Sequence, residues 1–107
     1  MPENGCGVVA GFILAWMIED EAHILKLATR REYRRTGVAG ALTKNLLEHL
    51  EAKGIKSAYL EVRETNFNAQ RFYAGLGFRK VGLRKAYYPD TAEAAVILRK
   101  DLDYAGS

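Results

Sequence analysis

With 107 residues the chain has room for one compact domain, residues 1–107, and for no second. A composition of 49% apolar and 27% charged residues excludes a disordered or fibrous chain, and a formal charge of +3 suits an anionic ligand while lacking the long basic stripe that binding to nucleic acid requires. Cys6 is the single cysteine, which excludes an internal disulfide and a Cys-rich zinc site; His23 and His49 lack metal-ligand spacing, so no metal is expected.

In chain order, the apolar run Val8 to Ile18 comes first. It is too short to span a bilayer, and no Lys or Arg precedes it as in a signal peptide, so a cytoplasmic chain without a membrane anchor is expected. The run reads as a strand buried on both faces, ended by Glu19-Asp20-Glu21 and paired as a hairpin with a second apolar segment, Ala22 to Thr29. A helix follows from about Val38 to Lys53, with Val38, Ala41, Leu42, Leu46 and Leu50 at three- and four-residue intervals and Gly54 as its stop. Ser57 to Arg63 is a strand, with Ala58, Leu60 and Val62 on one face and Tyr59, Glu61 and Arg63 on the other. Asn66 caps a short helix from Phe67 to about Leu76, closed by Gly77. Strands near Phe78 to Tyr87 and Ala94 to Leu102 complete the chain, joined by a loop with Tyr88-Pro89-Asp90. Residues 1–6 and 104–107 read as loose. The order β-β-α-β-α-β-β predicts an α/β (α+β) fold with a mixed sheet, containing one right-handed parallel crossover and otherwise antiparallel neighbours.

The turn Arg34-Arg35-Thr36-Gly37-Val38-Ala39-Gly40 stands directly before the first helix. A helix start offers unpaired N–H groups and the positive end of its dipole, and small residues let an anion approach the backbone. Gly37 can take φ > 0 and shape successive N–H groups into a concave nest that fits a pyrophosphate. The spacing is neither a Walker loop nor a dinucleotide fingerprint. Glycine before a helix also reads as a plain turn, and Arg30, Arg31, Arg34 and Arg35 as solvated surface.

Ligands of such sheets bind where strands end and the order switches. Glu61 lies near the exit of its strand, and Asn66 and Tyr73 are seven residues apart on one helix, two turns along one face. A carboxylate, an amide and a phenol can therefore converge near the turn, a set able to deprotonate an amine and donate to a leaving group. Taken singly, Glu61 also reads as a surface carboxylate paired with Arg63 or Arg84, Asn66 as a helix cap, and Tyr73 as a core ring.

Over almost all of its length, from Val9 to Leu102, the chain resembles the GNAT acetyltransferases. Arg34-x-x-Gly37-x-Ala39 resembles that family's acetyl-CoA pyrophosphate loop, and Phe72-Tyr73-Ala74-Gly75-Leu76-Gly77-Phe78 its Tyr-x-x-Leu-Gly-Phe helix end. Leu60-Glu61-Val62-Arg63 followed by Asn66, and Tyr87-Tyr88-Pro89, are similar to the protein N-terminal acetyltransferases, above all the bacterial RimI type, which acetylates the N-terminal alanine of a small-subunit ribosomal protein. The resemblance implies that Leu27, Ala28 and Thr29 offer backbone groups to the acetyl and pantetheine portion of acetyl-CoA. Arg35, Thr36, Gly37, Val38, Ala39 and Gly40 would hold the pyrophosphate, and Asn66 would hydrogen-bond the cofactor. Glu61 would be the general base, Tyr73 the general acid, and Tyr87 and Tyr88 would line the peptide groove.

Two departures accompany the resemblance. Thr29-Arg30-Arg31 stands where relatives often carry Val-Asp-Pro. The family's chains begin with a strand, one or two helices and a further strand before the apolar hairpin, whereas this chain starts close to that hairpin; an uncovered strand edge is expected, with either a homodimer covering it or a shortened gene product. The expected function is N-α-acetyl transfer. The alternatives are a GNAT enzyme acting on a small-molecule or lysine amine, and a truncated, inactive module that binds CoA or a protein.

Overall fold

A computed structural model describes residues 11–34 and 36–102. Along the chain it forms β1 (Gly11–Ile18), β2 (Glu21–Thr29), a 3-10 turn (Arg31–Tyr33), α1 (Val38–Ala52), β3 (Ser57–Arg63), α2 (Phe67–Gly75), β4 (Arg79–Tyr88) and β5 (Glu93–Asp101). This is the order expected from the sequence with the 3-10 turn added. The tails 1–6 and 104–107, and the expected start of the first strand at Val8, lie outside the described residues. Tyr88, expected in a loop, is the last residue of β4.

The five strands form one sheet in the order β1-β2-β3-β5-β4. β2 and β3 are parallel, joined by the crossover through α1; the β1/β2, β3/β5 and β4/β5 pairs are antiparallel. Ala22 and Ile24 of β2, Leu60 and Val62 of β3, and Val96 and Leu98 of β5 belong to one buried cluster with Leu47 and Leu50 of α1 and Tyr73 of α2. Both helices therefore cover the same face of the sheet. Leu50 is 1% exposed, so its burial alone contributes about 1.5–3 kcal/mol. In α1 the buried residues are Thr43, Leu47 and Leu50, while Ala41, expected on the inner face, is exposed. The Thr43 hydroxyl satisfies itself within the helix by donating to the Ala39 carbonyl at 2.8 Å.

The reading of the first strand as buried on both faces is corrected. β1 is an edge strand whose Ile13 and Ala15 pack toward the helices, while Phe12, Leu14 and Trp16, alternating with them, are exposed on the opposite face. A continuous apolar run has the same composition whether its second face is covered or open, and periodicity alone does not separate the two.

Both helices end in the same way. The N–H of Gly54 donates to Glu51 and that of Ile55 to Leu50; likewise Gly77 donates to Ala74 and Phe78 to Tyr73, each with its glycine at positive φ, 81° and 98°. This is the Schellman arrangement, which needs a residue without Cβ strain just past the helix and brings together the residues that flank it. In α2 it sets the Tyr73 and Phe78 rings edge to face at 5.5 Å. The Tyr-x-x-Leu-Gly-Phe pattern is thus a helix stop that fixes the Tyr73 ring. No helix among the described residues is long and apolar enough to cross a membrane.

Candidate active site

The sheet is split where its order reverses. β2 and β3 pair only from Glu21/Ser57 to His23/Tyr59, although both strands run on for several residues. The cause lies on the other side of β2, where the register against β1 moves from Leu14/Lys26 to Ala15/Ile24 and leaves Leu25 as an extra residue. Such a bulge bends its strand and sharpens the local twist, which turns the rest of β2 away from β3. Main-chain groups of β2 beyond His23 face the resulting gap instead of a neighbouring strand.

A cavity of about 340 Å³ occupies the gap. Leu27 of β2, Glu61 of β3, Asn66 and Tyr73 at α2, and Tyr88 of β4 all line it. A second cavity of about 370 Å³ is bounded by His23, Tyr59, Arg84 and Ile97, and the two share Ile24, Leu25, Leu60 and Glu61. The two cavities therefore adjoin where β2 and β3 part, and Glu61 borders both whereas Tyr73 borders only the first.

Each polar side chain here has identifiable support. The Glu61 carboxylate pairs with the Arg84 guanidinium at 3.3 Å, so the surface-pair reading from the sequence holds for Arg84 while Arg63 is occupied elsewhere. Asn66 caps α2 through Oδ1, which accepts from the Ala69 N–H at 3.1 Å. Tyr73 lies between Phe72, at 5.0 Å, and Phe78. Burial pushes its phenol above the ordinary value and keeps it protonated. The Tyr88 phenol is also raised, first by burial and then by the charge of Glu61.

Arg63 holds the rim. Its Nη1 and Nη2 donate to both carboxylate oxygens of Asp90, at 3.1 and 3.0 Å, and Nη1 also donates to Glu93 at 3.2 Å. The guanidinium lies 4.1 Å from the Tyr88 ring centre, a cation–π contact, and Thr65 bonds Glu93. Arg84 in turn lies 4.9 Å from the Tyr87 ring, which meets Tyr88 edge to face at 5.1 Å. Tyr88 lines the cavity; Tyr87 is exposed and adjoins it through these contacts.

The anion turn lies after the end of β2, on the side of the sheet where β2 and β3 part. Gly37 adopts φ 88° and ψ 1°; no side chain caps α1 and no acidic residue stands in its first turn. The amides of Val38, Ala39 and Gly40 come too early in the helix for an intrahelical acceptor, and a Cβ at Gly37 or Gly40 would have no heavy atom within 4 Å. Those features suit an anion pressed against the backbone. Thr36 to Gly40 do not line the cavity, nor do Ala28 and Thr29, which continue β2 opposite Phe12 and Gly11. Arg35 lies outside the described residues. Among the described residues no group of three His, Cys, Asp or Glu is placed to hold a metal ion.

Sequence reasoning missed Leu25, whose extra place in β2 opens the gap, and the Arg63 clamp on Asp90 and Glu93. The first has no local signal. The second joins residues 27 to 30 positions apart, beyond any helix or strand period.

The family model described as acetyltransferase (GNAT) family matches residues 1–78. The ribosomal protein bS18-alanine N-acetyltransferase of Escherichia coli (strain K12) is 36% identical over 94 residues, covering 86% of this chain and 64% of that protein. The chain thus spans less than two thirds of that relative's length. The crystal structure of the ribosomal-protein-S18-alanine N-acetyltransferase from Escherichia coli matches with a TM-score of 0.85 at 33% identity, over 99% of this chain and 68% of that one. That of PaiA N-acetyltransferase from Thermoplasma acidophilum, in complex with coenzyme A, matches with a TM-score of 0.72 at 25% identity, over 86% of this chain and 53% of that one. With its split sheet, its uncapped glycine turn and these matches, the chain belongs to the acetyltransferase (GNAT) family.

Proposed function

We propose that the chain is a cytoplasmic, single-domain acyltransferase that moves an acetyl group from acetyl-CoA to the N-terminal α-amine, alanine by preference, of a protein such as a small-subunit ribosomal protein. The observation that carries this reading is the parting of β2 and β3, with Glu61 bordering both cavities there and Tyr73 one. Two reactants can enter through the two cavities and meet beside a carboxylate and a phenol. Acetyl-CoA supplies the acetyl group as a thioester.

The turn fits the donor's diphosphate. Main-chain N–H groups of Val38, Ala39 and Gly40 bind it, aided by Thr36 and Arg35, and Gly37 leaves the surface bare. Leu27, Ala28 and Thr29 offer main-chain groups to the acetyl and pantetheine portion. The Asn66 amide hydrogen-bonds the donor with the nitrogen that its capping oxygen leaves available.

Glu61 is the general base, acting through a water, and Arg84 holds its carboxylate. An α-ammonium has a pKa of about 8, more than two units below that of a lysine side chain, so a terminal amine is the easier group to deprotonate at neutral pH. Tyr73 is the general acid. A phenol already above about 10 is a weaker acid than a thiol of about 8.5, so it hydrogen-bonds the sulfur first and yields its proton only as the C–S bond breaks. Even to the released thiolate, full transfer would be uphill by at least about 2 kcal/mol. Alignment of amine and thioester contributes more than either proton step. Tyr87 and Tyr88, stacked with Arg84 and Arg63, line the path of the peptide.

The test is thiol release from acetyl-CoA with a panel of short peptides, run beside free polyamines and acetyl-blocked controls. Rates highest on Ala-starting peptides support the reading, and faster turnover of polyamines or lysine side chains overturns the acceptor assignment. Binding of CoA without transfer to any amine, unaffected by Glu61→Gln or Tyr73→Phe, would make the chain a binding module.

A further inference from the structure

β4 does not fix Tyr88 by its own pairing. Its register against β5 runs to Arg84/Ala95 and resumes at Tyr88/Glu93, so residues 85–87 of β4 stand opposite Ala94 alone. A surplus of this kind interrupts the ladder and bends the strand. In the turn that follows, the Ala92 N–H donates to the Tyr88 carbonyl at 2.7 Å, and Ala92 itself holds φ 59°, where an L-residue is strained. The segment that brings Tyr88 to the cavity thus has an irregular strand on one side and a strained turn on the other.

Its support comes from the end of β3. The Arg63 guanidinium donates to Asp90 through both Nη1 and Nη2, and Nη1 also reaches Thr91 at 3.2 Å and Glu93 at 3.2 Å. The Thr91 hydroxyl donates to Glu93 at 3.0 Å and accepts from the Glu93 N–H at 3.3 Å, which ties the turn to itself. The same cation lies over the Tyr88 ring. One planar group therefore gathers three residues of the turn and packs on the ring that the turn carries. A lysine ammonium has neither the fork nor the flat face for both tasks.

The main chain of Arg63 serves the donor side. Its carbonyl accepts from the Asn66 N–H at 3.0 Å and from the Gln70 side-chain amide at 3.2 Å, and that amide also donates to the Glu64 carbonyl at 2.9 Å. These bonds hold the corner that carries Asn66, and they are independent of the guanidinium. Removing the side chain of Arg63 therefore separates the two substrates.

We propose that Arg63 is a positioning residue for the acceptor: by gripping Asp90, Thr91 and Glu93 and packing on Tyr88, it sets that phenol where the amine-bearing peptide passes, a role that rests on the reading of a peptide amine as acceptor. The proton steps stay with Glu61 and Tyr73.

Full-length Arg63→Met and Arg63→Lys are compared with the parent chain. At saturating acetyl-CoA both should raise the KM of an Ala-starting peptide at least about tenfold, with kcat within about threefold and CoA affinity in calorimetry within about twofold. Asp90→Asn, at an exposed turn position, removes the partner instead of the cation and should raise KM in the same direction. Arg63 also borders the cavity, so Arg63→Met is combined with Tyr88→Leu; if the cation acts through Tyr88, the double variant has the KM of the worse single one. Amide hydrogen exchange reads the turn without catalysis: protection at Ala92 should fall at least about tenfold in Arg63→Met while that at Leu98, in the buried part of β5, is kept. Full rescue by lysine, KM effects that multiply in the double variant, a loss in kcat with KM unmoved, or unchanged exchange at Ala92 each overturn the proposal. A parent chain that acetylates no peptide defeats the functional reading and the role of Arg63 with it, and that result is seen before any substitution is made.

Discussion

Alanine at Gly37 probes the turn on which donor binding depends. Gly37 holds φ 88° and ψ 1° with open space where a Cβ would stand, so the substitution meets no clash and its whole effect is backbone strain. A left-handed L-residue costs about 1–2 kcal/mol, reduced by several tenths because alanine also narrows the unfolded ensemble. Gly40, three residues on, is equally open but lies inside α1 without positive φ, so alanine there should stabilise by about 0.8–1 kcal/mol through helix propensity. The two variants should differ by about 2 kcal/mol. At an m-value of about 1–1.5 kcal/mol/M in urea this separates their midpoints by roughly 1.5 M. Urea unfolding followed by circular dichroism reads this directly. In titration calorimetry Gly37→Ala should also weaken CoA at least tenfold, since the methyl stands where the diphosphate would lie. Equal midpoints for the two variants would refute the left-handed turn in solution. An unchanged CoA affinity would remove the diphosphate from it.

Further substitutions test other parts of the reasoning. Tyr73→Phe keeps the ring contacts with Phe72 and Phe78 and should slow acetyl transfer by about 10²-fold or more with little change in CoA affinity, as read by single-turnover kinetics against calorimetry. Leu50→Ala, at a side chain 1% exposed, should cost about 2–5 kcal/mol in thermal or urea unfolding. Arg63→Met should flatten the acid limb of stability. Asp90 is held below the ordinary carboxylate range by its bonds from Arg63, and Glu93 by Thr65, Thr91 and then Arg63. Depressed carboxylates contribute stability that is complete above their unfolded values, near pH 4, and lost as pH falls through the lower folded values. Urea midpoints of the parent chain should therefore fall more steeply below about pH 4 than those of the variant.

The local grammar of this sequence is legible because short-range physics writes it. Gly54 and Gly77 mark both helix ends, Asn66 caps α2, and the alternation of Ala58, Leu60 and Val62 sets the inner face of β3. From these the element order follows, and with it the approach of Glu61, Asn66 and Tyr73 to one cavity. Long-range relations are not written locally. Whether the second face of β1 is covered depends on what lies beyond that strand, and its apolar run reads the same either way. The insertion of β5 between β3 and β4, the extra residue at Leu25, and the reach of Arg63 across to Asp90 and Glu93 are properties of paired segments. A periodic pattern carries no trace of its partner's register.

The single surplus residue in β2 has a mechanical meaning. To zip β2 fully against β3, every side chain beyond Leu25 would have to shift by one place and turn to the opposite face, taking Leu27 out of the apolar interior. The slot is thus a permanent aperture of the resting chain, fixed by counting rather than by any hinge. An incoming molecule therefore need not prise these strands apart before it is gripped and aligned.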